Sequence, residues 1–382
     1  MLTAESVRPS NLTASDRQAW AAFCEATPLF RSPLLGPDFA DAVGRKRNDA
    51  WVAVFRQDGK AVGFLPYHQR SLGFSRPIGS PFSDYQALVT APDQRLDAAQ
   101  ALALAGLNAF RFSHLLDPYG CFGAVEQTYD DGYRMQFGEG GAEAYLDAIR
   151  SANPKRAKNW RRLENKLERE FGEIELTCAD DSQHAFDALI RWKREQLHRS
   201  GLHDFFRPHW SLDLMQDLFK IRHGRFQGLM ITLRAGGQLV AGHFGVRLDG
   251  HFHSWISSVD PEAAACGPGN TILLRALEAM PSLGLTAFDM GPGHCNYKEP
   301  FCTSTVRIGA GVATAADARG VGPSLDQALA LAAKRSEPVA RLLRRLDHIA
   351  AVELSVGGRL LGVAQAFAGQ GRRTREPANP EN

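Results

Sequence analysis

Three strands joined by two tight turns, between residues 228 and 258, constrain this chain more than any other feature. An apolar run at 228–234 meets Gly236-Gly237 and returns as 239–247, and Asp249-Gly250 turns the chain again into 251–258. Gly-Gly and Asp-Gly supply the positive φ that two-residue hairpin turns need, so the strands pair antiparallel in sequence order. A loop from Asp260-Pro261 to Gly269, a helix at 270–280 and a further strand at 285–290 follow. This order predicts an α/β (α+β) fold with a mixed, largely antiparallel sheet flanked by helices, and excludes a parallel doubly wound sheet.

Around that core, helices are expected at 15–26 and 37–43, then a hairpin of 51–56 and 61–67 about Asp58-Gly59. A Gly/Pro/Ser-rich stretch over 73–84 leads into Ser83-Asp84-Tyr85, whose composition suits a loop approaching a ligand or an irregular connection. A helix at 97–110 and a strand at 112–116 complete the first half, and Gly138 to Gly141 marks a boundary. Beyond it, 153–170 reads as a charged helix with a basic start (Lys155, Arg156, Lys158, Arg161, Arg162), either an anion-binding face or a solvated surface. A strand at 173–177 and a helix at 182–198 carrying Trp192-Lys193 precede the meander. After Val312 the chain turns to Ala, Gly, Leu and Arg, with helices expected from Pro338 and over 359–368 and disorder over 371–382. The implied domains are 1–140, 141–312 and a helical, Arg-rich tail, 313–382.

The 382 residues suffice for two or three domains. Forty-four Lys and Arg against 42 Asp and Glu leave a formal charge of +2, too little to gather nucleic acid, so no nucleic-acid partner is expected. Six cysteines without a Cys-x-x-Cys pair indicate reduced thiols rather than a disulfide framework or a zinc ribbon. Neither a secretory leader nor an apolar run of spanning length is visible, which places the protein in the cytoplasm, with peripheral contact at the inner membrane open to it.

Chemistry concentrates in three places. Cys266-Gly267-Pro268-Gly269-Asn270 enters a helix directly, where backbone N–H groups and the positive dipole end can receive a pyrophosphate, or simply form a helix-entry turn. It is neither a Walker A loop nor a dinucleotide fingerprint. Strand alternation sets His251, His253 and Trp255 on one side of their strand, with His243 on the neighbouring strand, so several imidazoles come within reach of one sheet region. A zinc site from His251 and His253 with Cys295 or Cys302 lacks a recognised ligand spacing, and no metal is expected. The segment Phe288-Asp289-Met290-Gly291-Pro292-Gly293 ends a strand in an aspartate and a glycine loop that delivers Tyr297 and Lys298 to the sheet rim. No Gly-x-Ser-x-Gly elbow is present, so covalent catalysis is not suggested.

Residues 140–305 resemble the GNAT-like acetyltransferases often labelled CelD-like, for cellulose biosynthesis, relatives of the FemAB peptidyltransferases. The resemblance is carried by Asn159-Trp160-Arg161-Arg162, Trp192-Lys193, Ala241-Gly242-His243-Phe244-Gly245, His253-Ser254-Trp255, Pro268-Gly269, and above all 288–293 followed by Tyr297-Lys298-x-x-Phe301. The first half resembles the degenerate first unit of such two-unit proteins, through its hairpin and Ser83-Asp84-Tyr85. What the resemblance implies is an acyl-CoA-dependent N-acyltransferase, with acyl-CoA as co-substrate, no permanently bound cofactor, and direct attack of an amine on the thioester. It implies pyrophosphate binding by Gly267, Gly269 and Asn270 aided by Arg161 or Arg162, a general base among His253, His243 and Asp289, an anion-orienting Lys298, and substrate contacts from Asp84, Tyr85, Tyr297 and Trp255. The acceptor it implies is an amine of a cell-envelope precursor, either a sphingoid base giving ceramide or an amino sugar of an exopolysaccharide. Two other readings stand beside it: a non-catalytic effector holding an anionic nucleotide with Arg341, Arg344, Arg345, Arg372 and Arg373, and an aminoacyl-tRNA-dependent transferase, against which the net charge argues.

Overall fold

The computed structural model describes residues 1–92, 94–125, 127–138, 140–293, 298–318, 337–355 and 357–364. Strand β1 (Leu2–Val7) precedes helix α1 (Ala14–Ala26), where the Thr13 side chain accepts the amide of Asp16, and α2 (Pro37–Gly44). The hairpin of β2 (Ala50–Gln57) and β3 (Lys60–Gln69) turns where expected, at Asp58 and Gly59. Then come β4 (Phe74–Pro77), β5 (Val89–Thr90), α3 (Ala98–Leu104) and β6 (Ala109–Leu115). The helix expected over 97–110 ends early because Gly106 bends the chain at φ 69°, which frees Ala109 and Phe110 to join β6.

After β7 (Gln127–Gln136) follow α4 (Gly141–Ala152), α5 (Pro154–Phe171), β8 (Ile174–Thr177), α6 (Gln183–Arg199) and α7 (His209–Lys220). Asn153 caps α5 by accepting the amide of Arg156, and Ser182 caps α6 by accepting that of Ala185. The meander is β9 (Phe226–Ala235), β10 (Gln238–Leu248) and β11 (His251–Val259), and it leads through α8 (Pro268–Ala279) to β12 (Ala287–Pro292). β13 (Ser304–Thr314) and α9 (Glu337–Val352) complete the sequence of elements, with further helical residues at 357–364. The segment 371–382 lies outside the described residues. No described helix is long and apolar enough to cross a membrane.

The described residues divide into two compact units. The first draws on Met1–Asp131, Phe205–Met215 and the described residues from Arg307 onward, the second on Gly132–Asp204 and Gln216–Val306. In the first, the strand order is β1-β2-β3-β4-β6-β13 with β5 on β3. Every pairing there is antiparallel except β4 with β6, and Phe55, Leu65, Phe110, Phe112 and Phe122 fill the core.

In the second unit the order is β7-β12-β11-β10-β9-β8, antiparallel except for β11 with β12. Trp160 and Leu167 of α5, Leu146 of α4 and Ile272, Leu273, Ala276 and Leu277 of α8 pack on one sheet face against Leu229, Ile231, Leu233, Phe252 and Phe288. The other face meets α6, where Phe186 lies edge-on to Phe244 with ring centroids 5.1 Å apart. The mixed, mainly antiparallel sheets with flanking helices are those expected.

Candidate active site

The meander slips register twice, at Val240 between β9 and β10 and at Trp255 between β10 and β11. Phe244 of β10 pairs with Ile256, but Gly245 pairs with Ser254, so Trp255 is the extra residue of a bulge. Glycine at 245 is required there, since a Cβ would overlap the His253 carbonyl. The bulge takes Trp255 out of the alternation read from sequence, which His251 and His253 still follow. His253 pairs with Val246 and shares its face, whereas His243 stands on the opposite face, the one that carries Ile231 and Leu229. The sheet therefore sets on opposite faces the two imidazoles that the sequence reading brought within reach of one sheet region.

His243 is a core residue. Its Nδ1 lies 3.1 Å from Ser254 Oγ and its ring stands edge-on to Phe288. Burial, with Lys193 adding to it, pushes this imidazole down to about 4, so it is neutral near pH 7.

The opposite face gathers charge. β11 and β12 pair in parallel only from His251↔Ala287 to His253↔Asp289, and at that last register position the buried His253 Nδ1 lies 3.5 Å from Asp289 Oδ1. Arg134 of β7, in register with Asp289, donates Nε–H to Oδ2 at 2.7 Å, and the Gly291 amide donates to Oδ1 at 2.8 Å. Burial would raise this carboxyl, but His253, Arg134 and the amide together hold it at about 2. Asp289 is therefore an anion that fixes its neighbours and a very weak base.

Lys298 braces the loop after β12. Its ammonium donates to the carbonyl oxygens of Gly291, Pro292 and Gly293 at 3.4, 2.9 and 3.3 Å, with the Tyr133 ring 5.9 Å away. Nearby, Phe301 stacks on Trp160 at 4.9 Å, and Tyr145 Oη donates to the Phe301 carbonyl. Tyr297, like Cys295, lies outside the described residues.

Beyond His253 and Asp289 the two strands run on, to Val259 and to Pro292, without pairing to one another. This splay leaves the facing backbone edges of β11 and β12 open to a ligand. At the far end of β11 sits the loop before α8: Gly269 is against Val259, and Gly267 (φ 65°, ψ 39°) turns the chain beside Leu163 of α5. Pro268, which has no N–H, opens the helix and no side chain caps it, and with the Asn270 and Thr271 amides donating to Gly267 O, the Gly269 N–H is the first-turn donor that an anion can meet. Asn270 stands in that turn, its amide donating to Gly267 O at 3.2 Å. Lys166 of α5 donates to Ala265 O at 3.2 Å, which sets the basic helix against this loop, and Arg161 and Arg162 are exposed on it, Arg162 bonded to Asn159 Oδ1.

Trp255, half-buried at the bulge, has its ring 6.1 Å from that of His253. Asp84 and Tyr85 belong to the first unit, where Tyr85 is wholly buried. Among the described residues no group of three or more His, Cys, Asp or Glu comes together to hold a metal, and Cys302 Sγ donates to Ser304 O at 3.0 Å. Sequence reasoning missed Arg134. It lies 155 residues from Asp289, in a polar strand without apolar alternation, and only the β7–β12 register brings it there.

Residues 154–299 match the family described as Acetyltransferase (GNAT) domain. None of the curated proteins matches. Among solved structures, the chain is similar to the C-terminal domain of a proposed lysylphosphatidylglycerol synthetase from Agrobacterium fabrum, at 11% identity and a TM-score of 0.50, covering 83% of this chain and 96% of that one. It is also similar to a tandem GNAT protein of the clavulanic acid pathway (11%, 82% and 98% covered, TM-score 0.47) and to FemX (10%, 81% and 96% covered, TM-score 0.49). The first of these likenesses shows the fold, and the match over 154–299 gives the chain a GNAT domain and makes it an acyltransferase.

Proposed function

We propose that this acyltransferase uses acyl-CoA to N-acylate a primary amine of a cell-envelope precursor, with 141–312 as the catalytic domain, as in the cellulose-biosynthesis branch of its family. The splay of β11 and β12, with a charged cluster at its closed end and an uncapped helix start at its open end, is the observation that carries this reading. The pyrophosphate fits the first turn of α8 at Gly267, Gly269 and Asn270, with Arg161 or Arg162 near it. The pantetheine arm fits between the strands, where unpaired N–H groups can take the thioester oxygen.

His253 is the base this arrangement favours. His243 is on the core face and Asp289 is too weakly basic, whereas Asp289 can hold a proton on His253 Nδ1 and so leave Nε2 to accept one. The amine nitrogen then bonds to the thioester carbon, the carbon–sulfur bond breaks, His253 takes the ammonium proton, and the thiolate leaves to be protonated. Lys298 shapes the Gly291–Gly293 turn that borders the site. Two acceptors fit the envelope reading, a sphingoid base and an amino sugar.

The test is free-thiol release from acetyl- through palmitoyl-CoA, with sphinganine-type amines or glucosamine-type sugars as acceptors. Consumption of long-chain donors with the lipid amine alone means ceramide-type synthesis, and consumption of acetyl-CoA with the sugar means glycan modification. No release with any pair would overturn the reading.

A further inference from the structure

Given acyl-CoA as the donor, the reading on which this rests, we propose that Lys155 and Lys158 at the start of α5 hold its 3′-phosphate. Between Pro154 and Leu163 this helix carries five cations, Lys155, Arg156, Lys158, Arg161 and Arg162, all exposed, and no carboxylate. The position is an unfavourable one for them. A helix start is the positive end of the dipole, and Lys158 and Arg162 repel one another at i,i+4 spacing. Ion pairs do not relieve the repulsion. Among the described residues no carboxylate pairs with Lys155, Arg156, Lys158 or Arg161, whereas nearby Glu164 meets Arg275 at 2.9 Å and Glu278 meets Arg150 at 3.1 Å. A bound anion would relieve it.

The loop before α8 fixes where that anion sits. Lys166 donates to Ala265 O at 3.2 Å, Cys266 Sγ donates to Glu170 Oε2 at 3.2 Å and Gly267 lies beside Leu163, so the loop runs along α5 between Glu170 and Leu163. At about 100° per residue, Lys155, Arg162 and Lys166 fall on one flank of α5 within about 40° of one another. Lys158 adjoins this row, three residues from Lys155 and four from Arg162. The row therefore continues from the entry of α8 towards the start of α5, with Lys158 and Lys155 about 7.5 and about 12 Å along the axis from Leu163.

The donor's own chemistry matches this layout. Acyl-CoA carries a pyrophosphate and, one ribose away, a phosphomonoester with a charge of about −1.5 to −2 at pH 7. With the pyrophosphate at the Gly269 N–H and Arg162, the monoester reaches the turn of Lys155 and Lys158, whose ammonium groups suit a compact dianion.

The test is isothermal titration of the full chain with CoA and with 3′-dephospho-CoA, at low and at high salt. CoA is expected to bind about tenfold or more tightly than dephospho-CoA, with a preference that shrinks as salt rises. In Lys155→Gln/Lys158→Gln the affinity for CoA should fall to that for dephospho-CoA, which itself stays as in the wild-type chain. The melting temperature of this variant should hold or rise, since cations leave a positive helix end, so the loss is not one of folding. Equal wild-type affinities for the two ligands, or a preference that survives in the double variant, overturns the proposal. Binding of neither ligand overturns it too, and thiol release from acyl-CoA, measured separately, decides whether the donor reading falls with it.

Discussion

Replacing Asp289 by Asn removes the one negative charge between Arg134 and His253 while keeping the shape of the side chain. If Asp289 fixes the tautomer of His253, Asp289→Asn should lower kcat about 10²-fold or more with little change in the KM for the acyl donor. Steady-state kinetics alongside circular dichroism checks this, and wild-type turnover would remove Asp289 from the mechanism. His243 yields a different expectation. Its folded value near 4 lies below the unfolded 6.5, so between those limits the unfolded chain binds the extra proton and stability falls as pH falls. Such a buried imidazole contributes up to about 3 kcal/mol to that loss. His68, pushed down to about 4 by burial and Arg47, acts in the same window. Urea unfolding at pH 7 and pH 4.5 should therefore show a smaller acid-induced loss in His243→Asn, with His68 and His114, which burial also pushes down, contributing to the remainder. Asp289 at a strand end and Lys298 beyond its loop were legible as candidates because a strand running into a glycine loop is a local signal. The bulge at Trp255 was not, because it is set by the backbone of the partner strand rather than by the residue itself.

At the scale of elements, α9 shows how a helix with little buried surface is kept in place. Ile349 and Val352 are buried, but Leu342, Leu343 and Leu346 are only partly so, and much of the docking is borne by Asp347. Burial works against this carboxylate, yet Arg76 and Arg111 hold it well below the usual range. Asp347→Asn should loosen α9 by about 1–3 kcal/mol, since two guanidinium groups lose a charged acceptor. Amide hydrogen exchange over 337–352 would speed up by a corresponding factor, and unchanged exchange would mean that apolar contacts suffice. The helix starts at 153 and 182 and the turns of the meander were readable beforehand, because capping and turn chemistry act over a few residues. β7 and β13 were not, the first being polar and the second broken by Gly309 and Gly311. Their strand character comes from the neighbours they pair with.

Over the whole molecule, the sequence order of strands and helices was enough for the fold class, whereas the expectation of two units came from the family resemblance and the Gly138–Gly141 boundary. What it left open is where each unit closes. In the second, a parallel pair, β11 with β12, interrupts an otherwise antiparallel sheet, and β12 also pairs with β7, far upstream. The meander from Phe226 to Val259 can zip from its turns, with contacts short in sequence and quick to form. The His253 and Asp289 register needs the crossover through α8 and the return of residues near 134, so its loop-closure entropy is met late. A nascent or damaged chain can thus hold most of its native sheet and still lack the residue cluster proposed for proton transfer, and turnover reports completed folding more stringently than secondary structure does.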